Sequence, residues 1–145
     1  MTQIDFHVMQ HAASLDAQRH YACRLAEKAV NLGNRVMIAT ANDHESQVMN
    51  DLLWSFKPES FVPHGLVGDT ASNDASVLIS HDDDDTHHDV LINLRPGVPE
   101  QFSRFKRLIE IVIQEQSSLK GSRKNYAFYQ TRGYPIKTHK LKLQD

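Results

Sequence analysis

Three short apolar runs constrain the fold most. They are RVMIAT at Arg35–Thr40, VLIS within Ser76–Ser80 and VLINL within Asp89–Leu94. Short runs that are apolar on successive residues read as strands covered on both faces. Segments of helical period lie between and around them. Leu15, Ala22, Leu25, Ala26, Ala29 and Val30 follow helical spacing. Ser14 or Asp16 can cap that helix, and Gly33 ends it. Ahead of it, Thr2–Met9 alternates Ile4, Phe6 and Val8 with Gln3, Asp5 and His7, as a half-buried strand does. The chain therefore opens strand, helix, strand, which predicts a right-handed crossover and a parallel pair. Asp43 opens a second helix with Val48, Leu52 and Leu53 on one stripe and Trp54 near its end. After Pro96 and Pro99, the residues Phe102, Phe105, Leu108, Ile109, Val112 and Ile113 recur at helical spacing and predict a long helix. Ser118–Tyr134 reads as a further helix stopped by Gly133. Ile136–Leu143 alternates as an edge strand whose lysines discourage unwanted pairing. Alternating strands and helices make a layered α/β domain, expected to be one unit over residues 1–145.

The formal net charge of −2 is unevenly spread. From Lys120 onward there are seven basic residues and one acid, whereas Asp69–Asp89 holds seven Asp and no Lys or Arg. One local basic patch is favoured over generic nucleic-acid binding across the whole surface. Lys120, Arg123 and Lys124 are three and four apart, so they form one ridge on the predicted helix, with Tyr126, Phe128 and Tyr129 beside it. Charge beside an apolar ring suits an acidic or C-terminal peptide, or a nucleic-acid backbone with stacked bases. Phe61 and Val62 lie in a stretch bounded by Pro58 and Pro63, where they either tuck under the domain or face a partner.

The remaining motifs point away from chemistry. HDDDDTHHD at His81–Asp89 has no ordered ligand spacing and no glycine turn, so it reads as a solvated connection and no metal is expected. His7, His11 and His64 show no paired spacing, and His64 between Pro63 and Gly65 reads as a turn residue bonding locally. Cys23, the one cysteine, reads as a small buried hydrophobe and excludes an internal disulfide. Neither GxGxxG nor GxxxxGK[ST] is present, so no cofactor is expected. No long apolar run predicts a membrane span, and the first residues lack a signal-peptide pattern, so a cytoplasmic chain is expected.

ESFVPHGLVGD at Glu59–Asp69, DVLINLRPGVPEQFSRFKRLIEIV at Asp89–Val112 and RKNYAFYQTRGYPIKTHKL at Arg123–Leu141 resemble the chi subunit of bacterial DNA polymerase III. The resemblance covers nearly the whole chain. It implies a three-layer α/β sandwich, with a mostly parallel central sheet and helices on both faces. It also implies a non-catalytic accessory subunit of the clamp-loader complex. One face of such proteins binds the acidic C-terminal tail of single-stranded-DNA-binding protein, and another binds the psi subunit. In some bacteria a DNA-damage helicase competes for the second face. Carried onto this chain, the tail site is Lys120, Arg123, Lys124 and Tyr126, with Ile113 lining the pocket. Arg123 suits the terminal carboxylate because its guanidinium binds bidentately. The psi face falls on Trp54 and Phe61. DNA is then engaged only indirectly. The competing reading is direct single-stranded nucleic-acid binding through the basic C-terminal helix.

Overall fold

The computed structural model describes residues 1–68, 75–82 and 88–144. Among the described residues, seven strands form one sheet: β1 (Gln3–His11), β2 (Val36–Ala39), β3 (His64–Leu66), β4 (Val77–Ser80), β5 (Val90–Asn93), β6 (Arg107–Val112) and β7 (Ile136–Gln144). Their order is β3-β4-β2-β5-β6-β1-β7, and every described pairing is parallel. Parallel neighbours need long crossovers, and here helices supply several of them. Helices α1 (Leu15–Asn31) and α2 (Asp43–Ser55) cover one face, and α3 (Gln116–Thr131) covers the other. The result is the three-layer sandwich expected.

Strand alternation divides the core. Val36, Ile38, Val77, Ile79, Val90, Ile92, Ile109 and Ile111 pack with α1 and α2. Ile4, Phe6, Met37, Leu78, Leu91, Leu108 and Val112 pack with the α3 side. Ser14 Oγ caps α1 by accepting from Ala17 N at 3.1 Å. Asn42, the residue before Asp43, caps α2. Gly33 and Gly133 lie just beyond α1 and α3 with φ of +89° and +78°, the left-handed geometry that closes a helix.

Two expectations are corrected. β1 and β2 are not a pair, because β6 and β5 lie between them. β1 pairs instead with β6 and β7, the two strands that α3 connects. The long helix after Pro99 is a 3-10 turn at Glu100–Arg104 followed by β6. Leu108–Val112 is buried on both faces, and its apolar residues satisfy strand and helix spacing equally. Its central Glu110 is tolerated because Tyr129 Oη, Asn93 Nδ2 and Asn125 Nδ2 donate to Oε2 at 2.6, 3.0 and 3.2 Å. Burial outweighs these three bonds and pushes the Glu110 carboxyl up to about 7.

Candidate functional site

α3 begins where the Glu115 carboxylate caps it, accepting from Ser117 N and Ser118 N at 2.9 and 3.0 Å. Those backbone bonds hold its pKa below the ordinary value. The helix then crosses over β1, where the Tyr126 ring sits 5.4 Å from Phe6. Leu119, Ser122, Arg123, Tyr126, Ala127 and Gln130 form one stripe at helical spacing, and they wall an open cleft of about 330 Å³. Its floor is Phe6 and Val8 of β1, Val112 of β6 and Thr138 of β7. The cleft is mainly apolar, with one guanidinium and one phenol at its rim.

Of the five residues expected at this site, Arg123 and Tyr126 line the cleft. Lys120 and Lys124 are exposed on the neighbouring helix face, as a ridge beside it. None of the three cations makes an ion pair among the described residues. Ile113 is placed elsewhere. It lies just past β6, fully buried in the core under α1 and α2, and its neighbour Val112 meets the cleft. One step along a strand reverses the face, and the expected helix concealed that step. The three aromatics also separate. Tyr126 is 38% exposed, Tyr129 is buried on Glu110, and Phe128 carries the Arg132 guanidinium 3.6 Å from its ring centroid. Phe6, Val8 and Thr138 were missed as cleft residues. The period-two alternation of the first and last strands was the signal that could have found them. It also puts Lys140, opposite Val8 in register, on the cleft's face of the sheet.

At the far end of the sheet, Trp54 and Phe61 are 60% and 71% exposed with ring centroids 5.9 Å apart. Val62, beside Phe61, is buried, so the Pro-bounded stretch divides between the two readings. His64 makes the local bonds expected of it. Its Nδ1 lies 2.7 Å from Val62 O and its Nε2 3.1 Å from Asn50 O, which ties the stretch to α2. The imidazole also stands edge-on to Trp54 at 4.7 Å.

Cys23 is buried, and burial pushes its thiol up to about 12, far from a nucleophile. Residues 83–87 lie outside the described residues, and with them most of the HDDDDTHHD reading. No helix among the described residues is long and apolar enough to cross a membrane.

Fold and site together define a parallel α/β sandwich that presents an open, cation-rimmed cleft near one edge and an aromatic pair near the other. The family model for the DNA polymerase III chi subunit, HolC, matches residues 1–137. The chain is 34% identical to DNA polymerase III subunit chi of Pseudomonas aeruginosa, over 97% of this chain and 98% of that one. It is 27% identical to the Escherichia coli K12 protein of the same name, over 95% and 97% of the two chains. The crystal structure of T4 UvsW superposes with a TM-score of 0.66 at 8% identity, covering 97% of this chain and 41% of that one, a likeness of fold alone. The chain belongs to the DNA polymerase III chi subunit family.

Proposed function

We propose that the chain is a non-catalytic adaptor of the polymerase III clamp-loader complex, working in the cytoplasm at the replisome. In this reading the cleft takes the acidic C-terminal tail of single-stranded-DNA-binding protein, and the Trp54–Phe61 surface takes the psi subunit. The observation that carries it is the cleft itself: an apolar floor with Arg123 and Tyr126 at one wall and Lys120 and Lys124 alongside. A peptide ending in an apolar residue and a free carboxylate needs those elements together. The apolar side chain loses water on Phe6, Val8 and Val112, Arg123 forks onto the carboxylate, and the lysines meet the acidic residues upstream. Nucleic-acid bases would instead call for several exposed rings along a groove, and only Tyr126 of this helix's three aromatics is exposed.

The test is titration of a labelled tail peptide. Arg123→Ala removes a charge-assisted bond of roughly 1.5–3 kcal/mol and weakens binding about 10–100-fold. Arg123→Lys falls between, because lysine keeps the charge without the fork. Wild-type affinity drops as salt rises, since exposed charges are screened within about 3 Å at 1 M. Arg123→Ala binding as tightly as wild type would refute the assignment of the cleft.

A further inference from the structure

On the opposite face of the same two strands, away from the cleft, three side chains converge that the adaptor reading does not use. Asp5 and His7 are two apart on β1 and so point to one face, and His139 is the register partner of His7 on β7. One ligand atom from each of the three lies within 4.8 Å of the others. His139 Nε2 is 3.7 Å from Asp5 Oδ1, and the two imidazole rings are 4.9 Å apart. Asp5 is buried, while the His139 side chain is 45% exposed. A cavity of about 530 Å³ opens onto all three between α1 and the sheet, which gives an ion a way in.

We propose that Asp5, His7 and His139 form a binding site for a divalent transition-metal ion of the zinc class, with the remaining position left to water. Two imidazoles and one carboxylate suit zinc, copper or nickel, whereas calcium and magnesium ask for oxygen ligands. Arg107 Nη1 holds Asp5 Oδ2, which partly neutralises the carboxylate, and Gln3 Nε2 donates to Oδ1 at 3.2 Å, so Oδ1 would ligate the ion through its other lone pair. The partial neutralisation weakens the site for hard cations most. Tyr21 Oη lies 2.5 Å from His7 Nδ1, so Nε2 is the nitrogen left for the ion. With the ion bound, Nδ1–H donates to Tyr21, the outer-shell contact that orients a ligating histidine. Tetrahedral ligands at zinc bond lengths stand about 3.4 Å apart, so the site closes by a small swing of His139, its most exposed member. Binding would pin the edge strand β7 to β1.

The test is calorimetric titration of the full chain with Zn²⁺ alone, and with Co²⁺ for its visible ligand-field absorption. The sequence offers competing histidines at His81, His87 and His88, so a variant with these three replaced by alanine is run alongside. One equivalent is expected to bind to wild type and to that variant, with a rise in Tm. His139→Ala lowers affinity at least tenfold and abolishes the Tm rise, and its exposed position keeps the fold intact. Tyr21→Phe lowers affinity about 10–100-fold, which a casual surface histidine would not register. The proposal is overturned if Zn²⁺ fails to saturate the chain, if binding survives His139→Ala unchanged, or if it disappears in the triple-alanine variant.

Discussion

Glu110 of β6 accepts from both Asn125 and Tyr129 of α3, and its chemistry is measurable. Its carboxyl is raised from 4.5 to about 7 in the fold, so the folded state keeps a proton that the unfolded chain gives up. Its contribution is fully present below about 4.5 and is lost as pH rises through about 7, on the order of 3 kcal/mol in all. His7 works in the opposite sense. Burial, with His139 next in effect, lowers it to about 4, so its contribution is present above about 6.5 and lost as pH falls. The two offset one another in wild type near pH 5–6. We therefore expect the stability difference between wild type and Glu110→Gln to shift against wild type as chemical denaturation is repeated from pH 5 to pH 8. A difference that stays flat would remove Glu110 from this role. None of this was legible in the sequence, because a glutamate inside RLIEIV gives no sign of the three donors that reach it from β5 and α3.

At the scale of elements, the strands β2, β4 and β5 were legible because runs of three or four successive apolar residues leave little else to build. α1 and α2 were legible from their stripes and caps, and α3 from its spacing and Gly133. β6 was not, since helical spacing and a strand buried on both faces share the same apolar residues. That one misreading moved Ile113 from the core to the cleft. The cleft's cationic wall was legible because it lies on one helix; its floor was not, because three strands distant in sequence supply it. Gly133 tests the end of α3. Its φ is +78° and a methyl group added there would meet nothing within 4 Å, so Gly133→Ala brings no clash and costs only the backbone strain. That strain is about 1–2 kcal/mol, a Tm roughly 3–6 °C lower. Peptide affinity should stay within twofold, because the cleft-lining stripe ends at Gln130. An unchanged Tm would mean that the turn relaxes freely.

For the whole molecule, sheet order sets the separation of its two surfaces. β3, next to the Trp54–Phe61 pair, and β7, beside the cleft, are the two edges. Six strand spacings of about 4.8 Å put them roughly 29 Å apart. We expect partners of ordinary size to occupy both at once, and the loss of one surface to leave the other intact. The most direct measurement of the adaptor claim is stepwise assembly on a biosensor: psi subunit immobilised, this chain loaded, then single-stranded-DNA-binding protein passed over. We predict that the second protein binds only after the chain is loaded. Arg123→Ala should weaken that second step about 10–100-fold while still loading, and Trp54→Ala with Phe61→Ala should fail to load while still binding the tail peptide in solution. If psi and the tail exclude one another, or if both variants lose both partners, the account of two independent surfaces is wrong.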